Sequence, residues 1–291
     1  MSCFKKLLEC VGPRRRTQEP RPQPAFPTGL EELYTPLCER TADIILIHDI
    51  TDDLRQTWTT NNIVWPKDLL PKELIHLRVF AFGYDGRVTN MSEIVSAERV
   101  RRHAESLLVA VTSRLERDAA EIPGVGNRPI IFCAHGLGGI ICEQALVTAE
   151  AKSHSLWALA RGIMLFGVPH FRAGTAEWAA LVARSIGLST KRAQRQDWSP
   201  FQQDFTDLAN MQSKFCDIVD PRETAGRIKI CCFYEEIQVH GNLMISPEWA
   251  ILPKFRIVPI ARDHFGMTKL DSRDAKTFRC IVGTLYNWLS N

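Results

Sequence analysis

From residue 41 onward, short apolar runs alternate with longer amphipathic stretches, and this alternation restricts the chain to few architectures. The apolar runs are almost continuous, as in central parallel strands that are covered on both faces. They are ADIILIH (42–48), LRVFAFGY (77–84), PIIFCA (129–134), GIMLFGV (162–168), RIKICCFY (227–234) and FRIVPI (255–260). Helical periodicity between them is clearest over 93–118 and 139–151. The pattern predicts an α/β fold with a mostly parallel central sheet flanked by helices.

Two further stretches extend this prediction. Residues 275–290 place Phe278, Leu285 and other apolar side chains on one side at helical spacing, which predicts a helix docked on the sheet. The polar interval of about 188–224, which carries Trp198, has no strand run of its own. In this architecture such an insertion is typical of a lid over the active face, and we predict one there.

The N-terminal segment differs in composition from the rest of the chain. Residues 1–27 are proline-rich and carry six basic and two acidic side chains, so that of the formal net charge of +3 the remaining chain carries −1. We therefore predict a disordered basic tail over 1–27 and one domain over 28–291. So small a charge outside the tail also predicts no nucleic-acid partner.

The cysteines and the hydropathy indicate a compartment. The nine cysteines include no CxxC pair and several lie in apolar runs, which favours buried thiols in a reducing compartment over disulfides or a zinc site. No apolar run reaches the about 18 residues that span a bilayer, and the tail lacks the apolar region of a secretory signal. We predict an intracellular, cytoplasmic protein without cofactor or metal. Cys3 and Cys10 leave two readings of the tail, a linker with incidental thiols or an acylated peripheral membrane anchor.

The segment PIIFCAHGLGGIICEQAL, residues 129–146, predicts a strand, a tight glycine-rich turn and a helix. Hydrolases display their nucleophile on such an elbow, which needs small residues two positions before and after the nucleophile. Ala134 and Gly138 meet that steric demand, but Gly136 stands where the serine is required. The turn is therefore predicted to be present without its attacking oxygen.

The remaining members of a serine mechanism follow the elbow in the order acid, then histidine. Glu235 and Glu236 follow the fifth apolar run and His264 follows the last, so all three are expected at the carboxyl ends of strands, where open α/β sheets place their sites. We prefer Glu235 as the acid, and the choice between the two glutamates stays open. Asp263 is expected to cap a turn, and His135 to pack under the elbow.

The oxyanion hole of such a site combines two backbone amides. One belongs to the residue after the nucleophile, here Leu137, and the other to the loop IHDITDD, where Asp49 and Ile50 follow the strand. Glycine is the usual residue after His48. A carboxylate at this place opposes the stabilisation of an oxyanion unless the side chain points away. We count Asp49 as a second, independent departure from hydrolase chemistry.

At these residues a resemblance to a family emerges. From about residue 41 to its end, the chain resembles the fungal lipase-like α/β-hydrolase domains that are found before NACHT or NB-ARC modules or ankyrin repeats, relatives of the serine-active-site-containing proteins. Eight segments in the same order carry the resemblance: LIHDITDDLRQTW, WPKDLLP, FAFGYDG, IIFCAHGLGGIICEQAL, GIMLFGVPHFRAGTAEWA, CCFYEE, ISPEWAILP and ARDHFGMTKL. The resemblance implies an α/β-hydrolase fold and a lipase or esterase scaffold, and, for some members, a role as effector domains in fungal immunity.

The resemblance also implies roles for single residues. The family serine falls on Gly136, its histidine on His264, its acid on Glu235 and its oxyanion loop on residues 48–50. Four functions follow from these positions. They are a pseudo-hydrolase that binds a lipid, an ester or a protein, a hydrolase in which His264 activates a water, a serine enzyme substituted at position 136, and an interaction module with a filled cleft. We expect the first, because loss of the nucleophile costs such a site about 10⁶-fold in turnover.

Overall fold

The computed structural model describes residues 28–50, 52–88, 90–121, 128–171, 175–185, 195–222 and 227–290. The tail predicted over 1–27 lies outside the described residues. The strands are β1 (Gly29–Tyr34), β2 (Ala42–Ile47), β3 (Thr59–Thr60), β4 (Ile63–Val64), β5 (Leu77–Gly83), β6 (Ile130–His135), β7 (Ala160–Phe166), β8 (Lys229–Glu235) and β9 (Arg256–Ile260).

Seven strands form one sheet in the order β1-β5-β2-β6-β7-β8-β9. All neighbours pair in parallel except β1, which runs antiparallel to β5 at the edge. The six apolar runs of the sequence correspond to β2 and β5–β9, so the prediction of a mostly parallel sheet is confirmed. The sequence did not predict β1, because its residues GLEELY are half-exposed at the edge and lack an apolar run.

Helices cover both faces of the sheet. They are α1 (Trp65–Asp68), α2 (Met91–Ile94), α3 (Ala97–Glu121), α4 (Leu137–Ala151), α5 (Ser155–Leu159), α6 (Thr175–Ser185), α7 (Gln202–Ile218), α8 (Pro247–Ala250) and α9 (Lys276–Leu289). Successive side chains of a strand point to opposite faces. In β2, Ile45 and Ile47 therefore pack in the cluster with α3, α4, α6 and α7, whereas Ile44 and Leu46 pack in the cluster with α1 and α9. The docked helix predicted at the end of the chain is confirmed as α9.

Part of the interval for which we predicted a lid is described. It contains α7, whose buried Phe205 and Leu208 join the core beside α3 and α4. Asp204 of the same helix accepts a hydrogen bond of 2.9 Å from the amide of Ala97, at the start of α3. This part of the interval thus belongs to the helix layer. Residues 186–194 and 223–226 lie outside the described residues, so a lid over the active face stays a prediction.

Membrane crossing was tested on the helices within the described ranges. Not one of them has both the length and the apolar character that a membrane span requires.

A buried ion pair connects α4 to the loop after β7. Nδ1 of His170 lies 3.1 Å from Oε1 of Glu143, and both side chains are almost fully buried. Burial by itself lowers the pKa of His170, but the charge of Glu143 and the adjacent Cys232 outweigh it and raise the pKa to about 9. His170 is therefore a structural cation, and it holds α4 in place directly behind the glycine-rich turn.

The raised pKa of His170 predicts a loss of stability in alkaline solution. A histidine in the unfolded chain has a pKa of about 6.5. The charged form of His170 therefore contributes fully to the stability of the fold below about pH 6.5, and this contribution is lost as pH rises toward 9. We expect the free energy of unfolding to fall by up to about 3 kcal/mol over this window. Urea unfolding at a series of pH values measures it. In the double variant Glu143→Gln, His170→Asn this part of the pH dependence should vanish, and an unchanged pH profile in that variant contradicts the assignment.

Candidate active site

The glycine-rich turn connects the central strand β6 to α4. The strand ends at His135 and the helix begins at Leu137, with Gly136 between them at φ 52° and ψ −131°. Only glycine adopts this conformation without strain. The amide of Gly136 donates to the carbonyl of Phe166 in β7 at 3.0 Å, which anchors the turn at the carboxyl end of the sheet.

Close approach of neighbouring loops requires the two glycines that follow. A Cβ atom on Gly138 would lie 2.2 Å from the carbonyl oxygen of His48, and one on Gly139 would lie 2.2 Å from a methyl carbon of Val168. These contacts bring the first turn of α4 against the loops after β2 and β7. The steric demand that the sequence suggested for an elbow is thus present in the structure.

The carboxylate of Asp49 accepts hydrogen bonds from both amides that we predicted for the oxyanion hole. Its Oδ1 atom accepts a hydrogen bond of 2.8 Å from the amide of Leu137 and one of 2.7 Å from the amide of Ile50. Asp49 is only 2% exposed, so the pair of bonds is screened from water. The side chain therefore points into the site, and a permanent anion lies where a substrate oxyanion would form.

The same carboxylate fills the space of the absent serine side chain. A Cβ atom added to Gly136 would lie 2.2 Å from Oδ2 and 2.3 Å from Cγ of Asp49. Carbon atoms in contact need a separation of about 3.5 Å. The interpretation of Gly136 and Asp49 as two independent departures was wrong, because the side chain of one occupies the volume that the other leaves free.

His264 and Glu235 lie beside this carboxylate. Nε2 of His264 is 3.6 Å from Oδ2 of Asp49, and Nδ1 of His264 is 3.9 Å from Oε2 of Glu235. Oε1 of Glu235 accepts a hydrogen bond of 2.6 Å from the amide of Ile245, whereas Glu236 is exposed. Of the two glutamates, the structure places Glu235 next to the histidine. Burial raises the pKa of Glu235 above its ordinary value, although the nearby His264 opposes the shift.

His135 is a neighbour of His264 that sequence reasoning placed only under the turn. Its Nε2 atom lies 3.0 Å from the carbonyl oxygen of His264, and the two rings are 4.6 Å apart between centroids. The alternation along β6 contained the signal, because Ile131 and Cys133 pack on the face of α1 and α9 and His135 continues that face. Asp263, as expected, caps a turn by accepting from the amide of Gly266 at 2.7 Å.

Burial and neighbouring polar groups shift the pKa values of the side chains in this site. Burial acts to raise the pKa of Asp49, but the nearby His264 and the hydrogen bond from the amide of Leu137 outweigh it and lower the pKa. Burial together with the neighbouring His264 lowers the pKa of His135 to about 3. Asp49 is thus an anion and His135 a neutral imidazole at physiological pH.

A small cavity adjoins the site. Its volume is about 250 Å³, and it is lined by Asp49, Asp52, His135, Phe265 and Lys269. Pockets for drug-sized ligands measure about 300–1,000 Å³. A larger cavity of about 960 Å³ lies on another surface, along α9. As far as the described residues define it, the cavity beside the glycine-rich turn is thus smaller than a typical pocket for a drug-sized ligand.

Known proteins resemble this chain in sequence over part of their length. No protein-family profile matches the sequence. Mouse Protein SERAC1 is 26% identical, and the match covers 86% of this chain and 40% of the relative. Human Protein SERAC1 is 23% identical, and the match covers 80% of this chain and 37% of the human protein. The chain thus spans about two fifths of the length of the curated relatives it matches.

Among solved structures, the mature form of the Bacillus licheniformis lipase BlEst2 matches with a TM-score of 0.50 and 12% identity. The match covers 89% of this chain and 97% of the lipase. The fold is therefore an α/β-hydrolase fold, as the sequence predicted. The SERAC1 relatives are animal proteins, and the resemblance to fungal domains stays a prediction.

The contact between Asp49 and Gly136 predicts energetic coupling. Gly136→Ser alone should destabilise the protein, because the backbone strain costs about 1–3 kcal/mol and the clash with the carboxylate about 1–3 kcal/mol more. Asp49→Gly removes the clash, so the double variant should be more stable than the sum of the single effects by about 1–3 kcal/mol. Urea unfolding of all four proteins measures the coupling.

The control for this cycle pairs Gly136→Ser with His240→Asn. His240 is exposed and has a positive φ of 51°, which asparagine also tolerates. Its effect should add to that of Gly136→Ser within about 0.5 kcal/mol. Simple additivity in the Asp49 cycle as well would refute the interlocking of the two positions.

Proposed function

We propose that this chain is a pseudo-hydrolase, an α/β-hydrolase domain that acts by binding and no longer by serine catalysis. The observation that carries the proposal is the position of the Asp49 carboxylate. It takes both oxyanion amides, those of Leu137 and Ile50, and also the volume of a side chain at Gly136. The nucleophile and the electrostatic stabilisation of the transition state are then lost together.

The energetic consequence is large. Loss of the nucleophile alone costs about 10⁶-fold in turnover, and what remains of such a site comes from its oxyanion donors and substrate binding. Here the donors already hold a buried anion. A substrate carbonyl would have to displace that buried carboxylate from two hydrogen bonds, and a buried charge without its partners is costly.

Two enzymatic functions are alternatives to this proposal. In the first, His264 activates a water, and the nearness of Glu235 supports this role. However, Asp49 lies between His264 and the amides that such a reaction needs. A serine enzyme that was substituted at position 136 would place its Cβ atom within 2.6 Å of three atoms of the carboxylate, so Asp49 would have to move. Both alternatives conflict with the same side chain.

The filled cleft favours a protein partner over a lipid or an ester. Below about 300 Å³ a cavity accommodates only small molecules, and the cavity beside Asp49 has about 250 Å³. We place the protein in a reducing, cytoplasmic compartment. The apolar burial of Cys133, Cys142 and Cys231 supports this placement. Peripheral membrane contact through the tail remains part of the proposal.

A fluorophosphonate probe tests the proposal directly, because it reacts with activated serines. The purified full-length chain should not be labelled, and it should hydrolyse p-nitrophenyl esters of several chain lengths no faster than buffer. The double variant Asp49→Gly, Gly136→Ser should be labelled, since the amides of Leu137 and Ile50 and the pair His264–Glu235 are then available to the serine. Gel fluorescence and mass spectrometry measure the labelling.

The matched control is Asp49→Gly, Gly136→Ala, which opens the same space without an oxygen and should stay unlabelled. Gly136→Ser alone should also stay unlabelled, because Asp49 still occupies the amides. Stoichiometric labelling of the unmodified protein, or esterase activity that His264→Ala abolishes, would show that the chain is an enzyme.

A further inference from the structure

Three buried side chains meet beside the glycine-rich turn, and each offers one atom that could bind a metal ion. Asp49, His135 and His264 are at most 2% exposed, and one ligand atom from each lies within 4.8 Å of the others. Within the described part of the chain, Oδ2 of Asp49, Nδ1 of His135 and Nε2 of His264 have no hydrogen-bond partner. Buried polar atoms in native proteins almost always have one. Three such atoms in one place call for a ligand that satisfies them together.

In Asp49 and His135, the second polar atom of the side chain is held by a hydrogen bond. Oδ1 of Asp49 is held by the amides of Leu137 and Ile50. Nε2 of His135 faces the carbonyl oxygen of His264 at 3.0 Å. A carbonyl only accepts, so Nε2 carries the proton and Nδ1 keeps its lone pair. Nδ1 of His264 lies 3.9 Å from Oε2 of Glu235, beyond hydrogen-bond distance. A ring proton on Nδ1, beside this carboxylate, would leave the lone pair of Nε2 for an ion. Metal-binding histidines are fixed in this way by carbonyl and carboxylate groups behind them.

We propose that Asp49, His135 and His264 bind one divalent first-row transition-metal ion, with Zn²⁺ as the representative. Two imidazoles and a carboxylate are ligands that suit zinc and similar ions. Bonds of 2.0–2.2 Å in tetrahedral geometry put ligand atoms about 3.4 Å apart. Nε2 of His264 and Oδ2 of Asp49 are 3.6 Å apart, close to that spacing. The three ligand atoms lie within 4.8 Å of one another, so binding of the ion would draw the ring of His135 toward the other two ligands.

The surrounding charges support a cation. Asp49 supplies one negative charge, Glu235 stands behind His264, and Asp52 lines the adjoining cavity. Lys269 is the opposing charge at that cavity, and its ammonium group donates to the carbonyl of Gln56. The cavity gives the ion an open coordination position for water. The sequence predicted no metal because it contains no CxxC pair, and a site assembled from three separate loops leaves no such spacing.

This inference rests on the proposed function, because an active serine site would keep its amides free and would leave no place for Asp49. It adds a role for the remaining side chains. A metal would join the end of β6 to the loops after β2 and β9, so the ion would have a structural role beside the glycine-rich turn.

Metal titration of the full-length chain tests the inference. After treatment with a chelator, the protein should bind one equivalent of Zn²⁺ in calorimetry, and Co²⁺ should develop the visible bands of a nitrogen- and oxygen-ligated ion. Asp49→Asn keeps the hydrogen bonds from Leu137 and Ile50 but removes the anionic ligand. This variant and His135→Gln should each weaken binding more than 100-fold, whereas Glu235→Gln should weaken it about 10–100-fold.

The control is His240→Asn, which removes an exposed histidine outside the site and should leave affinity and stoichiometry unchanged. Circular dichroism establishes that each variant is folded, and the two substitutions at separate ligands keep the test valid if one fails to fold. Absence of binding in the unmodified protein overturns the inference. Binding that survives both ligand substitutions, or a Co²⁺ spectrum with thiolate charge-transfer bands, overturns it as well. Ester hydrolysis is measured separately, so failure of this inference and failure of the proposed function are distinguishable.

Discussion

The hydrogen bonds from the amides of Leu137 and Ile50 to one carboxylate oxygen of Asp49 determine the character of this centre. In a hydrolase such donors stabilise a negative charge that develops only in the transition state. Here the buried carboxylate of Asp49 accepts both hydrogen bonds without a substrate. The same carboxylate lies against Gly136, is 3.6 Å from His264 and lines the adjoining cavity.

The sequence predicted the fold well, because the fold depends on signals that are local. Each central strand is an uninterrupted apolar run. The sequence therefore located β2 and β5–β9 to within a few residues. The sequence did not predict strand β1, because an antiparallel edge strand needs only one covered face and so has no continuous apolar run. The stretch GLEELY alternates weakly, and its pairing with β5 becomes visible only in the folded chain.

For the site, the sequence identified the residues but not the relation between them. Gly136, Leu137, Ile50, Asp49, His264 and Glu235 were all expected at the carboxyl ends of strands, and the structure brings them together. The orientation of a single side chain decided the rest. Asp49 and Leu137 are 88 residues apart in the chain, and no pattern in one sequence tells whether a carboxylate turns toward an amide at that separation. The contact of His135 with His264 has the same origin, since both depend on the packing of separate loops.

The contact of Asp49 with Gly136 also restricts which side chains each of the two positions tolerates. A larger residue at position 136 would overlap a buried carboxylate, so it fits only after Asp49 is shortened or moved. A smaller residue at position 49 would leave the amides of Leu137 and Ile50 without their acceptor. The two positions therefore accept paired substitutions more readily than single ones.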